Sequence, residues 1–301
     1  MDHSERTMMM RTSLTGLSVG DAFGDQFFLH ANRHLTATDD PPPPWEWSDD
    51  TEMACSVVSC LEANGRIDQD VLAAAFATRL DMGRRYGAGA LELLERIRDG
   101  HPWRAASVES FGGNGSFGNG AAMRVAPLAA YFNGDPARAA SEATLQAEIT
   151  HSHSEGIAGA VAVAVAASIV TDCTAVADCT AEALLEAALD HTPGTYVRRG
   201  LEQARKLPEA TPEQAAHALG NGSRITAQDT VPFSLWVAAR HLNDYPAAIR
   251  ACVAVGGDMD TTAAIVGGVV AIRTGIDGIP AAWIDSREPL PSWLETASDP
   301  A

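Results

Sequence analysis

The chain has 301 residues, a formal net charge of −18 and 46% hydrophobic residues. The acidity argues against direct binding to nucleic acid or to an anionic membrane surface, because both need a basic protein surface. The hydrophobic content suffices for a large core and argues against disorder. We expect a cytoplasmic monomer without disulfides, since no cysteine pair has CxxC spacing and the cysteines are typical of buried apolar positions. They are Cys55, Cys60, Cys173, Cys179 and Cys252.

The two ends of the chain are predicted to be tails around a single domain. Residues 1–11 are expected to form a flexible tail, residues 12–290 the domain, and residues 291–301 a C-terminal tail. The opening MDHSERTMMM lacks the apolar core of a signal peptide. The apolar stretch 157–170 is too short to span a bilayer. The prolines from Pro41 to Pro44 predict a stiff connector ahead of the sequence WEWSDDT.

Helical spacing of apolar residues recurs along the chain, and few segments alternate as strands do. The fold class is therefore predicted to be all-α. Residues 121–132 are expected to form a helix with a kink at Pro127, after a glycine-rich loop at 111–120. Glycines inside helices, such as Gly159, Gly267 and Gly268, are expected to let helices pack closely. The other predicted helices cover residues 51–63, 71–82, 90–98, 157–170, 181–189, 196–206, 212–219, 232–241, 245–253 and 261–272.

The stretch WSDDT, residues 47–51, places two adjacent carboxylates and two hydroxyls before an apolar run. One interpretation is a helix start, in which Asp49 and Glu52 form a capping box and Ser48 and Asp50 suit the helix N-terminus. The alternative is that the stretch forms half of a metal site. Taken alone, the stretch favours the capping interpretation, because an adjacent aspartate pair is a weak metal signal.

A second acidic stretch, GGDMDTT at residues 256–262, repeats this pattern far along the chain. Asp258 and Asp260 precede a predicted helix, Thr261 follows, and the glycine pair permits a sharp turn. Each of the two stretches contains a pair of carboxylates, whereas one capping residue would suffice at each helix start. Together the two stretches predict an all-oxygen site, which suits Mg²⁺, Mn²⁺ or Ca²⁺ rather than Zn²⁺. Converging carboxylates would repel one another without cations, and this many ligands could hold two metals.

The glycine-rich sequence NGSFGNGAAMR, residues 114–124, has the composition of a phosphate-binding loop. Its glycines free backbone N–H groups, Ser116 and Asn119 add side-chain donors, and Phe117 could stack on a nucleobase. An ordinary flexible connection is the alternative, since no clear strand precedes the loop. Downstream, His151 and His153 have His-x-His spacing. We favour a hydrogen-bonding role at a helix start or a substrate contact for His151 over zinc binding, because no third ligand has zinc spacing.

Taken together, four stretches resemble the ADP-ribosylglycohydrolases, which include dinitrogenase-reductase-activating glycohydrolase and the ADP-ribosyl-acceptor hydrolases. The stretches are GLSVGDAFGD, WSDDTEMA, NGSFGNGAAMR with ITHSHSEGIAGA, and GGDMDTTAAIVGGVVA. The resemblance runs from about Thr12 to about Leu290. It implies a compact single-domain orthogonal helical bundle with two Mg²⁺ or Mn²⁺ ions at the base of a cleft. It also implies cleavage of the bond between the anomeric carbon of the distal ribose of ADP-ribose and an acceptor.

The resemblance further implies roles for individual residues. The metal ligands would be Ser48, Asp49, Asp50, Asp258, Asp260 and Thr261. The diphosphate and adenosine would be held by Ser116, Phe117, Gly118 and Asn119, and the ribose would be contacted by His151. As a hypothesis, water attacks the anomeric carbon at a centre that includes Asp50, and Asp258 or Asp260 accepts its proton. The partner would be an ADP-ribose-containing substrate, such as an ADP-ribosylated protein.

One position departs from the family pattern. Many members carry a glutamate eight residues after the glycine of the GDA-like motif, and counting from Gly20 gives Phe28 here. The nearest alternatives are Asp25 and Gln26. The departure keeps two other functions open, namely hydrolysis of a small ADP-ribose derivative such as ADP-ribose-1″-phosphate, and non-catalytic binding of ADP-ribose.

Overall fold

The computed structural model describes residues 2–170 and 180–295, and their regular elements are helices. No strand occurs in these ranges, where isolated bridges join Trp45 to Arg287 and Gly118 to Thr226. The predicted all-α class is therefore confirmed. Short 3-10 turns cover Gln26–Phe28, His30–Asn32, Met82–Arg84 and Ile276–Gly278. The α-helices are α1 (His3–Asp25), α2 (Asp49–Asn64), α3 (Gln69–Arg79), α4 (Ala88–Arg98), α5 (Trp103–Gly113), α6 (Gly120–Met123), α7 (Ala126–Tyr131), α8 (Pro136–Glu148), α9 (Ser154–Ile169), α10 (Ala181–His191), α11 (Tyr196–Ala204), α12 (Pro212–Leu219), α13 (Ala227–Arg240), α14 (Tyr245–Ala254), α15 (Met259–Thr274), α16 (Ala281–Ser286) and α17 (Ser292–Glu295).

Helix α1 spans the segment predicted to be an N-terminal tail. It begins at His3 because Asp2 and Glu5 form a capping box, in which each side chain accepts a hydrogen bond from the other residue's backbone N–H. Met10, inside the predicted tail, is fully buried in the core. The predicted domain boundary at residue 12 is wrong, because the helix runs without a break from the tail into the core.

The C-terminal boundary also differs from the prediction. Helix α17 follows residue 291, and its Leu294 is buried in the core. The Arg79 guanidinium lies 3.8 Å from the ring centroid of Trp293, which ties α17 to α3. The chain up to residue 295 therefore belongs to the folded unit, whereas residues 296–301 of the predicted tail lie outside the described part.

The helices predicted within the domain are confirmed, with differences at several ends. Residues 120–131 form two helices, α6 and α7, because Pro127 occupies the first turn of α7, where its missing N–H costs nothing. Helix α13 begins at Ala227, so that Pro232 lies inside it and not at its start. Five of the described helices have no counterpart in the sequence prediction, namely α1, α5, α8, α16 and α17. Helix α5 includes residues 111–113 of the predicted glycine-rich loop. Helix α8 is capped by Asp135 and opened by Pro136.

Glycines bring α1 into backbone contact with α15. A Cβ atom at Gly16 would lie 2.4 Å from the carbonyl oxygen of Gly267, and one at Gly20 would lie 2.2 Å from that of Ala263. These contacts run in opposite chain directions, so the C-terminal end of α1 meets the N-terminal end of α15. The acids at those two ends are thereby held together. The predicted close packing is confirmed at three helix glycines, where a Cβ would clash with a neighbouring helix: Gly159, Gly267 and Gly268.

The apolar helix α9 lies in the core, as its alanine and valine content predicts. Among the described helices, none is long and apolar enough to cross a membrane. Cys55, Cys60 and Cys252 are buried free thiols, which confirms the prediction for these three. Cys173 and Cys179 lie outside the described residues.

Candidate functional site

Asp21, near the end of α1, organises the start of α2. Its carboxylate accepts hydrogen bonds from the backbone N–H of Ser48 at 3.0 Å and of Thr51 at 3.1 Å. The hydroxyls of the same two residues donate to it at 2.8 and 2.5 Å. Burial, and then the charge of Asp260, raise the pKa of Asp21 to about 6, while these hydrogen bonds oppose the rise. Asp21 therefore holds the first acidic stretch against α1, a role that the sequence prediction does not assign to it.

Three carboxylates from three helices converge at this point. Ligand atoms of Asp21, Asp50 and Asp260 all lie within 4.8 Å of one another. Burial, and then the charges of Asp21 and Asp260, raise the pKa of Asp50 well above its usual range. Burial, and then the charge of Asp258, raise the pKa of Asp260 to about 7. Oδ1 of Asp50 is buried and accepts no hydrogen bond from the described residues. Such an oxygen is costly unless a proton or cation compensates it, so this donor set fits a hard cation.

The other ligands expected from the second acidic stretch border the same cluster. Asp258 and Thr261 line a cavity beside it, as does Asp49. Asp258 makes no side-chain capping hydrogen bond to α15, and instead accepts one from Nδ2 of Asn119 at 2.7 Å. The two glycines before Asp258 have φ of 65° and 82°, which confirms the predicted sharp turn. Asp258 therefore faces the cavity without capping its own helix, whereas Asp260 lines the cavity and also accepts a hydrogen bond from the Thr261 N–H at 2.8 Å.

Ser48, rather than Asp49, is the N-cap of α2. Its hydroxyl accepts a hydrogen bond from the Asp50 N–H at 3.3 Å and lies 3.0 Å from Oδ2 of the same residue. The capping box expected for Asp49 and Glu52 does not form, because the Glu52 carboxylate accepts a hydrogen bond from the Tyr86 hydroxyl at 2.7 Å instead. Capping by Ser48 leaves Asp49 in the cavity wall, so the helix start and a metal site are compatible.

The cavity beside the cluster has a volume of about 460 Å³. Its wall includes the residues predicted to bind substrate, so the structure brings the two predicted sets together. The glycine-rich loop lies directly on the His151 ring: a Cβ at Gly118 would be 3.1 Å from Nε2, and one at Gly120 would be 2.9 Å from it. The predicted substrate residues in the wall are Ser116, Phe117, Gly118, Asn119 and His151.

His151 is held by a hydrogen-bond chain that the sequence does not reveal. The buried Arg124 donates to Oγ1 of Thr150 at 2.9 Å, and that oxygen lies 2.7 Å from Nδ1 of His151. Because Thr150 accepts from Arg124, we assign its own proton to Nδ1, which leaves the ring proton on Nε2. Burial, and then the Arg124 charge, lower the pKa of His151 to about 3, so the ring is neutral. The helix-start role belongs to His153, which caps α9 by accepting from the Glu155 N–H.

Two exposed phenylalanines lie in the cavity wall. Phe117 is 38% exposed, and Phe111, which has no role in the sequence prediction, is 57% exposed. Their ring centroids are 6.4 Å apart. Phe111 has φ of 53°, in the left-handed region, where α5 loses its helical geometry. Its position depends on this turn, which no local sequence pattern marks.

The position at which the resemblance predicts a glutamate contributes nothing to the cavity wall. Phe28 is 49% exposed and lies outside the wall. Gln26 is buried, and Asp25 is buried with Oδ1 only 2.8 Å from Nη2 of Arg85. Burial raises the pKa of Asp25 to about 7, and the Arg85 charge opposes the rise. Of these residues, Arg85 alone lines the cavity.

Known proteins are similar to the chain in sequence and in fold. Human ADP-ribosylhydrolase ARH3 is 27% identical, over 92% of this chain and 88% of its own length. ADP-ribosylarginine hydrolase Tri1 of Pseudomonas putida is 24% identical, over 91% of this chain and 72% of its own length. A solved structure described as an ADP-ribosylglycohydrolase-related protein complex superposes with a TM-score of 0.67 and 25% identity, covering 98% of this chain and 95% of that one. Since residues 3–300 also match the family model for ADP-ribosylglycohydrolases, this chain belongs to the ADP-ribosylglycohydrolase family.

Proposed function

We propose that the protein is a divalent-metal-dependent hydrolase that cleaves the bond between the anomeric carbon of the distal ribose of ADP-ribose and an acceptor, reversing ADP-ribosylation. The observation that carries this proposal is one cavity that joins two kinds of groups. Its wall includes Asp50 and Asp260, whose carboxylates converge with that of Asp21. The wall continues into the phenylalanine pair, the glycine-rich loop and His151, which suit a nucleotide.

The proposed metal ligands are carboxylates and hydroxyls, a donor set that Mg²⁺ and Mn²⁺ prefer. Burial, and then the neighbouring carboxylate charges, raise the pKa values of Asp50 and Asp260, and positive charge bound among these carboxylates would relieve their repulsion. The Ser48 hydroxyl donates its proton to Asp21 and accepts the Asp50 N–H, which leaves one lone pair for a cation. Bound there, two divalent ions supply positive charge that polarises oxygen atoms at the reacting centre. The proposed ligands are Ser48, Asp49, Asp50, Asp258, Asp260 and Thr261.

The cavity wall supports ADP-ribose binding by complementary contacts. The Ser116 hydroxyl accepts a hydrogen bond from the Gly118 N–H at 3.2 Å, so its own proton is available to a phosphate oxygen. The exposed faces of Phe111 and Phe117 are suited to stacking on adenine. The Nε2 proton of His151 is proposed to be donated to a ribose oxygen, because the neutral ring lies under the loop.

Hydrolysis at an anomeric carbon passes through an oxocarbenium-like state, which negative charge nearby stabilises. In the proposal Asp50, Asp258 and Asp260 are the catalytic carboxylates, whose charge the bound cations would largely offset. Asp258 or Asp260 accepts the proton of the attacking water, and Asn119 orients Asp258 through its 2.7 Å hydrogen bond. The acceptor departs with the electron pair of the broken bond. Much of the rate gain is expected from positioning and charge stabilisation.

Two further functions use the same site. The absence of an acid at Phe28, together with Arg85 in the cavity wall, supports hydrolysis of a small ADP-ribose derivative such as ADP-ribose-1″-phosphate as a second candidate. The same absence is compatible with non-catalytic binding of ADP-ribose. The ADP-ribosylated partner, the cytoplasmic location and the monomeric state expected from the sequence stay predictions.

The test is a hydrolysis panel of ADP-ribosyl-arginine, ADP-ribosyl-serine and ADP-ribose-1″-phosphate, each with Mg²⁺, with Mn²⁺ and with excess chelator. We expect metal-dependent release of ADP-ribose from at least one substrate, and its loss in Asp260→Ala. Asp285→Ala, which removes an exposed aspartate of α16, is the matched control and keeps full activity. Full activity in chelator or in Asp260→Ala contradicts the proposal. Tight ADP-ribose binding without turnover of any substrate identifies the protein as a binder.

A further inference from the structure

Arg85 lies in the cavity wall, and its backbone has a conformation that is common for glycine and rare for other residues. Its φ is 63° and its ψ is 29°, in the left-handed region that residues with a Cβ atom rarely adopt. Strain of this kind persists only where the surrounding structure enforces it, and it concentrates at functional sites. The backbone conformation of Arg85 therefore suggests a functional role for its side chain.

The two residues that flank Arg85 are both fixed, which keeps its backbone from relaxing. The Arg84 guanidinium donates to the Trp47 carbonyl at 3.1 Å and stacks on the Trp47 ring, 3.3 Å from its centroid. The Tyr86 hydroxyl donates to the buried carboxylate of Glu52 at 2.7 Å. The contacts of Arg84 and Tyr86 therefore fix the Arg85 backbone from both sides.

Asp25 forms an ion pair with the Arg85 guanidinium. The carboxylate is 1% exposed, and Nη2 of Arg85 lies 2.8 Å from its Oδ1 in an ion-pair contact outside hydrogen-bond geometry. Neither oxygen accepts a hydrogen bond within the described part of the chain, so the guanidinium is its compensating neighbour. The Arg85 side chain is 38% exposed and makes no other ion pair with the described residues. Its remaining N–H groups are therefore available to a ligand in the cavity.

This ion pair borders the acidic cluster. Asp25 follows Asp21 by four residues on α1, which places both on one face of the helix. Between them, Gly24 packs so closely on α15 that a Cβ there would lie 2.8 Å from Cα of Asp260. Arg85 is thus at the end of the cavity where the proposed function places the anomeric carbon and the leaving group.

We propose that Arg85 is a specificity-determining residue that selects an oxyanion-bearing leaving group, such as a phosphate, and disfavours a guanidinium acceptor. This inference rests on the proposed function and deepens it. A guanidinium with free N–H groups matches the oxygens of a phosphate or carboxylate. An arginine acceptor at the same place would meet a like charge, which is costly when both groups are desolvated.

The reaction balances with water as the second reactant. The water oxygen bonds to the anomeric carbon, and the bond from that carbon to the leaving oxygen breaks. The leaving oxygen takes the bonding electron pair and departs as an oxyanion, whose negative charge Arg85 stabilises. One water proton stays on the new ribose hydroxyl, and Asp258 or Asp260 accepts the other. The products are ADP-ribose and the released phosphate.

The experiment compares wild type with Arg85→Gly on a charge series of substrates. Glycine removes the guanidinium and suits the left-handed backbone, so the local turn keeps its shape. We expect kcat/KM for ADP-ribose-1″-phosphate to fall by ~10- to 100-fold, as for loss of a charged hydrogen bond. The value of kcat/KM for ADP-ribosyl-serine, whose acceptor side chain is neutral, should fall less. The value for ADP-ribosyl-arginine, whose acceptor side chain is cationic, should stay constant or rise. Arg85→Lys, which keeps the charge, should recover part of the phosphate preference.

Arg224→Ala is the matched control, because it removes an exposed arginine from the same cavity wall. It should change all three substrates by one common factor. A common factor in Arg85→Gly would mean that Arg85 contacts the shared ADP-ribose part, and no change would mean a structural role; either result overturns the inference. Asp25→Asn combined with Arg85→Gly removes the buried carboxylate charge as well, so that the measurement survives if Arg85→Gly fails to fold.

Failure of the proposed function is distinguishable from failure of this inference. If wild type turns over none of the substrates, the proposed function fails, and calorimetric binding in Mg²⁺ decides the inference. Tighter binding of ADP-ribose-1″-phosphate than of ADP-ribose, lost in Arg85→Gly, supports selection of an oxyanion. Equal affinities, or no binding of either ligand, overturn it.

Discussion

The substitution Asp50→Asn separates the metal interpretation of WSDDT from helix capping by the sign of its effect. Asparagine keeps the size of the side chain and its oxygen acceptor for Ser48, but removes the charge. If Asp50 served the N-terminus of α2 only, losing its charge would cost ~0.3–1 kcal/mol of stability. If Asp50 belongs to a group of repelling carboxylates, losing its charge stabilises the metal-free protein.

The size of the stabilisation follows from the spacing of the cluster. Ligand atoms of Asp21, Asp50 and Asp260 lie within 4.8 Å of one another. At that spacing two ionised carboxylates repel by about 3 kcal/mol for an effective dielectric constant near 20. Partial protonation reduces the repulsion that is present, so we expect a net gain of ~1–3 kcal/mol, or roughly 2–5 °C in Tm.

The assay is thermal unfolding at pH 8 in chelator and in saturating Mg²⁺. Wild type should gain ~2.7 kcal/mol of stability for each metal site at a Mg²⁺ concentration 100 times its Kd, and Asp50→Asn should lose most of that gain. Glu182→Gln, in the first turn of α10, is the control for a helix-end acid outside the site. It should leave the Mg²⁺ response unchanged. An Asp50→Asn variant that is less stable in chelator, yet responds to Mg²⁺ as wild type does, would refute the metal interpretation.

Two further predictions concern pH and packing. In chelator, stability should fall as pH rises from about 4 to about 7, although the lowered pKa of His151, about 3, offsets part of this fall. The reason is that the pKa values of Asp21 (about 6), Asp25 and Asp260 (both about 7) lie above 3.8, so the folded state holds protons that it loses in this range. Mg²⁺ should restore Tm more at pH 8 than at pH 5, and an equal response would contradict this. Gly20→Ala should cost ~1–3 kcal/mol in chemical denaturation, since its Cβ would lie 2.2 Å from an α15 carbonyl oxygen. Gly194→Ala, in open space, should be neutral, and equal losses would show that this packing is unimportant.

The sequence predicts the helical class and most helix positions because apolar spacing and end signals are local properties. The two acidic stretches were also predictable, since each places paired acids at a helix start. The tail boundary at residue 12 was wrong although its correction is local: Asp2 and Glu5 form a capping box that places the start of α1 at His3. That signal was present in the sequence but lacked an apolar run directly after it.

The rest of the site could not be predicted because it depends on contacts between distant segments. Asp21 has no local partner that reveals its role, and its hydrogen bonds to Ser48 and Thr51 exist only once α1 and α2 meet. Phe111 and Arg85 both enter the cavity through left-handed backbone turns at residues other than glycine. Residue type does not favour that conformation, so only the surrounding structure reveals it.

The site and the core depend on the same packing between α1 and α15. The glycines of α1 allow its backbone to touch that of α15, and this contact brings Asp21 and Asp25 beside Asp260. Asp21 then holds the start of α2, which supplies Asp50, while Asp25 holds the guanidinium of Arg85. One helix therefore arranges both the carboxylates proposed to bind metal and the cation proposed to select the leaving group. It follows that a change in acceptor preference can arise at Arg85 and Asp25 without altering the residues proposed to hold the metals.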